Sequence, residues 1–151
     1  MRRKDKEITD PDRMEGILQK CRVCRVAFAN GNVPYIVPMS FGYARSGGEF
    51  TLFFHCAKEG RKMDFMRSNP NVAFELDTDY EVVASRITAK YECVMGTGIL
   101  GETGGAEAVF GLRAILRQSG MDENHPIDEA SLARVAVLKL SVQEMTGKAS
   151  V

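Results

Sequence analysis

The sequence has no tryptophan, and its 20 Lys or Arg residues are balanced by 20 Asp or Glu, for a net charge of zero. A basic groove lined with stacking aromatics is the usual means of holding single-stranded nucleic acid, and neither part of it is evident. No apolar run approaches the roughly 18 residues needed to cross a membrane. The opening Met1-Arg2-Arg3-Lys4-Asp5-Lys6-Glu7 is charged but leads into no apolar stretch, so no secretory signal is read and the expected location is cytoplasmic. Without export, the four cysteines at 21, 24, 56 and 93 are expected to be free thiols rather than a disulfide framework. Also missing are G-x-S-x-G, a P-loop and H-E-x-x-H, so covalent hydrolysis, nucleotide triphosphate chemistry and zinc proteolysis have no support. No internal repeat, linker or low-complexity stretch divides the chain.

What remains is an ordinary globular composition, 44% hydrophobic and 26% charged, over a length of 151 residues that suits one domain spanning 1–151. Thr9-Asp10-Pro11 opens a helix over 10–20, with Met14, Ile17, Leu18 and Cys21 at helical spacing. A β-rich run from 22 ends at Asn30-Gly31, a dipeptide suited to a type I′ hairpin turn, and 33–43 returns antiparallel. Ser46-Gly47-Gly48 makes the next turn into a strand over 49–55. A helix over 58–68 is stopped by Asn69-Pro70. Strands over 72–77 and 86–100 follow, separated by a polar loop around Asp77-Thr78-Asp79. A helix over 104–118, a turn of helix near 128–133 and a strand over 135–142 close the chain. Hairpin-linked strands with no room for parallel crossovers predict a mainly β fold, a small antiparallel barrel with flanking helices.

Two segments carry candidate chemistry. In His55-Cys56-Ala57-Lys58-Glu59-Gly60-Arg61-Lys62 a strand gives way to a helix, whose N-terminal N–H groups and dipole favour anions. Lys58, Arg61 and Lys62 add three cations there, and Gly60 lets the backbone approach a bound group. A solvated helix held by Glu59–Lys62 and Arg61–Asp64 pairs would read the same way. Pro34-Tyr35-Ile36-Val37-Pro38-Met39-Ser40-Phe41-Gly42-Tyr43 has two prolines in a strand-like run, which marks an edge or bulge. Its free backbone groups could meet a planar heteroaromatic, although on the residues alone a plain edge strand is the preferred reading.

Three other features are weaker. Gly96-Thr97-Gly98-Ile99-Leu100-Gly101 matches a dinucleotide fingerprint, but the helix starts too late and no parallel strand follows, so its glycines are read as a closely approached strand. Cys21 and Cys24 with His55 and Cys56 could in principle make a zinc site. Their spacing fits no common motif, so buried thiols are preferred and no metal is expected. His125, before Pro126 in a polar loop, reads as a surface residue.

The Pro34–Tyr43 segment followed by Leu52-Phe53-Phe54-His55-Cys56-Ala57-Lys58-Glu59-Gly60-Arg61-Lys62 resembles the FMN-binding split-barrel proteins related to pyridoxamine 5′-phosphate oxidase, in particular their nitroimidazole-resistance branch. Met1-Arg2-Arg3-Lys4-Asp5, Cys93-Val94-Met95-Gly96-Thr97-Gly98 and Thr146-Gly147-Lys148 also fit, so the resemblance spans nearly the whole chain. It implies a six-stranded antiparallel split barrel, a homodimer, and FMN in clefts between subunits. By that resemblance Val37, Pro38, Met39 and Ser40 lie along the flavin ring, Lys58, Gly60, Arg61 and Lys62 hold the phosphate, and His55 sits near the flavin as a candidate proton donor. The implied activity is reduction of a small electron-poor acceptor, of which a nitroaromatic such as a nitroimidazole is an example. A non-catalytic flavin carrier or sensor is the alternative. Cys56 and Cys93 stand where small residues are expected, and the C-terminal substrate motif of true pyridoxamine phosphate oxidases has no counterpart here. Pyridoxal phosphate synthesis is therefore not implied.

Overall fold

A computed structural model describes residues 3–86 and 88–150. Met1 and Arg2 of the opening basic run, and Ile87 of the expected 86–100 strand, lie outside the described residues. The first elements are a two-residue strand β1 (Glu7–Ile8) and helix α1 (Pro11–Lys20). Asp10 caps α1 by accepting a hydrogen bond from the Asp12 N–H at 3.0 Å, Pro11 occupies the first turn, and Met14, Ile17 and Leu18 form the buried face. Strands β2 (Val23–Asn30), β3 (Val33–Ser46) and β4 (Glu49–Ala57) follow as hairpins, then α2 (Arg61–Ser68), β5 (Asn71–Val83) and β6 (Thr88–Thr103). Helices α3 (Gly105–Gln118) and α4 (Glu129–Arg134) precede the last strand, β7 (Val135–Ser150).

All pairings are antiparallel, in the order β1-β7-β4-β3-β2-β5-β6, and β6 pairs again with β7. Six strands thus close into a barrel, with β1 laid beside the far half of β7. Alternation along the strands fills the interior: Cys24, Val26 and Phe28 from β2, Leu52 and Phe54 from β4, Leu138 and Leu140 from β7 are all buried. Helix α3 lies outside, flush against β3 and β4. A Cβ at Gly42 would overlap the backbone of Ala114 and Ile115, and one at Gly111 would overlap the Phe53 ring.

Several boundaries differ from expectation. The first hairpin turn is Gly31-Asn32, flanked by the pair Asn30↔Val33. Only Gly31 of the two has positive φ, at 55°, which is the pattern of a type II′ turn rather than type I′. The polar stretch Asp77-Thr78-Asp79 is not a loop but part of β5. Asp79 takes a left-handed φ of 59° and the register shifts between Thr78 and Glu81, a bulge that the strand continues past. Its charges are met from neighbouring elements: Lys20 bonds Asp79 at 2.6 Å and Glu92 at 2.7 Å, and Arg25 pairs with Asp77. Strand β7 runs eight residues beyond 142 because Glu144 to Ser150 find partners on β6. There Gly96 and Gly98 are close-approach positions, where a Cβ would overlap the carbonyl oxygens of Glu144 and Ser141.

Candidate functional site

The hairpin turns fix the backbone direction of every residue in β3. A two-residue loop makes its flanking residues a hydrogen-bonded pair, so Asn30 and Val33 exchange bonds, as do Ser46 and Glu49 around Gly47-Gly48. The odd residues of β3 consequently turn their N–H and C=O toward β2, and the even residues turn theirs toward β4. Both prolines, Pro34 and Pro38, are even. The β2–β3 register is unbroken from Val23↔Ser40 to Asn30↔Val33 because neither proline nitrogen is asked to donate to it.

On the other side the pairing with β4 starts only at Phe41↔Phe54. Continuing that register, Ser40, Met39, Pro38 and Val37 would face residues 55–58, and no such pairs form among the described residues. From His55 to Ala57 strand β4 pairs with β7 alone, and the chain then turns into α2. The barrel is split here. The N–H groups of Ile36 and Ser40 and the carbonyls of Pro34, Ile36 and Pro38 line one lip of the opening. Ile36, Pro38 and Ser40 are exposed, while Met39 points into the core and Val37 packs partly against it.

The other lip ends at the start of α2. Gly60 precedes the helix with φ 126° and ψ 170°, a backbone region in which only glycine is at ease, and no atom lies within 4 Å of where its Cβ would stand. Its carbonyl accepts from the N–H of Met63 and Asp64. The N–H groups of Arg61 and Lys62 precede the first helical bond, and no side chain caps this end. The Arg61 guanidinium rests on the rings of Tyr35, at 4.7 Å, and Phe65, at 5.2 Å, which brings it toward β3. Arg67 donates to the Lys58 carbonyl at 3.3 Å and holds the loop. Among the described residues neither the Glu59–Lys62 nor the Arg61–Asp64 ion pair forms, and Lys58, Arg61 and Lys62 have no carboxylate partner. Three cationic residues and an uncapped helix end therefore stand where β4 gives way to α2, beside a gap whose other side is bare strand edge.

His55 stands where β3 and β4 part. Its side chain is on the outer face of β4 with Phe53, opposite to Cys56, which is buried. It lines a cavity of about 310 Å³ with Leu112 and Leu116 of α3, and with His125 and Asp128 of the segment leading to α4. His125 is exposed, as expected, and it also lines this cavity. Its part in the cavity depends on the packing of a loop against α3 and β4, which no local pattern signals. Tyr35, the platform under Arg61, was within the proline-bearing segment but carried no separate signal.

The C-x-x-C pair is buried, Cys21 after α1 and Cys24 inside the barrel. Burial pushes the Cys21 thiol up to about 11 and the Cys24 thiol further still. Cys56 contacts the Met63 sulfur at 3.7 Å. His55 and Cys56 point to opposite faces of one strand, so they do not converge with Cys21 and Cys24, and no cluster of metal-ligating side chains exists among the described residues.

This arrangement recurs in known proteins. The family model described as pyridoxamine 5′-phosphate oxidase matches residues 10–149. The chain belongs to the pyridoxamine 5′-phosphate oxidase family. Within that family's fold, a Bacteroides thetaiotaomicron structure, provisionally described as a 5-nitroimidazole antibiotic resistance protein, is 28% identical. It superposes with a TM-score of 0.83 over 95% of this chain and 86% of that one. An FAD-binding protein from Mesorhizobium loti, 19% identical, has a TM-score of 0.70 over 96% and 97%. The flavocytochrome Anf3 from Azotobacter vinelandii, 18% identical, has a TM-score of 0.78 over 100% and 72%. At those identities the last two show the fold alone. A curated relative, the uncharacterized protein RA0666 of Rhizobium meliloti, is 36% identical over 62 residues, and the matched part spans only 38% of its length.

Proposed function

We propose that the chain binds FMN in the split between β3 and β4, as one half of a homodimer, and reduces a small electron-poor acceptor such as a nitroaromatic. The observation that carries this is the pairing of a bare strand edge with a cationic, uncapped helix end across one gap. A flavin mononucleotide has a flat ring with donors and acceptors along one edge and a phosphate at the end of its side chain, and each part meets its complement. Val37, Pro38, Met39 and Ser40 would flank the ring: Ser40 N–H and the Pro38 carbonyl meet its polar edge, while Met39 supports the strand from within the core. Lys58, Arg61, Lys62 and the N–H groups after Gly60 would hold the phosphate.

When bound, the flavin would supply the electrons, as hydride or singly, that a side chain cannot. His55, beside the opening and lining the adjoining cavity, would hold a proton for the acceptor at an imidazole nitrogen. Leu112, Leu116 and Ile127 make part of that cavity's wall aliphatic. Kinship with a structure described as a nitroimidazole resistance protein favours a nitro acceptor. Steady-state reduction of a nitroaromatic by NADH or NADPH, compared with the same amount of free FMN, tests catalysis. The native protein should exceed free FMN, and His55→Ala should keep its flavin but lose most of that excess. Turnover no faster than free FMN would favour a flavin carrier or sensor, and unaltered kinetics in His55→Ala would remove the proton-donor role.

A further inference from the structure

The three cationic residues around the start of α2 are not held alike. The Lys58 and Lys62 ammonium groups meet neither an aromatic ring nor a carboxylate among the described residues. The Arg61 guanidinium instead lies 4.7 Å from the centre of the Tyr35 ring and 5.2 Å from that of Phe65. Phe65 follows Arg61 by one helical turn, and its ring meets that of Tyr35 at 5.3 Å with the planes tilted by 57°. Tyr35 is also braced by Phe28, its direct partner on β2, at 5.9 Å. Phe28 and Phe65 are buried, so the half-buried Tyr35 has little room to move.

Arg61 makes no hydrogen bond or ion pair among the described residues, so contact with the rings leaves its N–H donors free for another acceptor. An exposed arginine that samples many rotamers loses that freedom when it grips an anion, and one already confined against two rings loses less. The same contact links the two lips of the opening. Among the described residues no hydrogen bond or ion pair joins α2 to β3, and the aromatic contact between them runs through Tyr35. Tyr35 is followed directly by Ile36, whose backbone N–H and carbonyl line the bare edge.

We infer that Tyr35 is a positioning residue for phosphate binding: its ring, together with that of Phe65, confines the Arg61 guanidinium at the start of α2, ready for a phosphomonoester. The ring is the working part. The Tyr35 hydroxyl has no partner among the described residues, so phenylalanine should serve as well. The inference rests on the reading of this helix end as the flavin phosphate site. It also separates Arg61 from Lys58 and Lys62, which act there through charge alone.

Riboflavin has the ring of FMN without the phosphate, so the pair isolates the phosphate end. In fluorescence-quenching titrations of the full-length apoprotein, the native chain should bind FMN more tightly than riboflavin. Tyr35→Leu should weaken FMN about three- to tenfold, the effect of freeing one long side chain, and leave riboflavin within about twofold. Tyr35→Phe should match the native protein for both ligands. In an Arg61→Ala background, Tyr35→Leu should change FMN affinity by less than about twofold, because the platform has nothing left to hold. A second measurement leaves Tyr35 in place. Ring currents from Tyr35 and Phe65 should move the Arg61 side-chain proton signals upfield in NMR spectra, before and after FMN is added, with Arg61→Ala identifying those signals. Ordinary Arg61 shifts, a Tyr35→Leu protein that keeps the native preference for FMN, or equal loss of FMN and riboflavin would overturn the positioning role while leaving the phosphate site standing. A native protein that binds FMN no better than riboflavin, or binds neither, would overturn the phosphate reading and this inference together.

Discussion

Replacing Gly60 by alanine probes the proposed phosphate cradle without touching a charge. At φ 126° and ψ 170° the native backbone lies where an L-residue is strained by about 1–3 kcal/mol. Because nothing lies within 4 Å of the would-be Cβ, the cost is conformational and not a collision. The loop sits at the exposed start of α2, so it can relax away from the native geometry and leave the barrel standing. A shift of that size away from the binding-competent conformation corresponds to roughly five- to 150-fold in apparent affinity. Gly60→Ala should thus weaken FMN binding within that range, measured by flavin fluorescence quenching, while the apoprotein's melting temperature moves little. FMN affinity equal to the native protein's would refute the assignment of this backbone to the phosphate.

Arg61→Ala combined with Lys62→Ala should lower FMN affinity at least about tenfold and flatten its dependence on salt, because the cations being screened are gone; equal affinity in titrations at two ionic strengths would count against the cluster. Gly42→Ala should destabilise the fold by about 1–3 kcal/mol, since α3 must move off β3, and at roughly 2–4 °C per kcal/mol the loss is readable in a thermal melt. Burial raises the Cys21 thiol from its ordinary 9.0 to about 11, so the folded state keeps the proton that the unfolded chain gives up. Stability should therefore hold below pH 9 and fall as pH rises toward about 11, and denaturant titrations across that window check the sign.

Hairpin punctuation made most of the barrel legible in the sequence. Pro11, Asn69-Pro70 and the glycine pairs delimit elements by local sterics alone, and the alternating strands need only a period of two. The failures came where partners across the sheet decide. Asp77 and Asp79 belong to a strand because Lys20 and Arg25 neutralise them from α1 and β2, and Gln143 to Ser150 extend β7 because β6 is there to receive them. The two site segments were visible as oddities, prolines in a strand and cations after a glycine. Their meeting across the split depends on where β4 abandons β3, a tertiary fact that only the family resemblance supplied beforehand. That the exposed His125 shares a cavity with His55 had no signal in the sequence, since it depends on a loop folding over α3.

The central claim is that the split between β3 and β4 holds FMN, and the visible absorption spectrum of the purified protein, with the chromophore released by acid and identified by mass, tests it most directly. The account predicts a flavin spectrum and FMN at about one per subunit. A colourless protein that also fails to take up added FMN would contradict it.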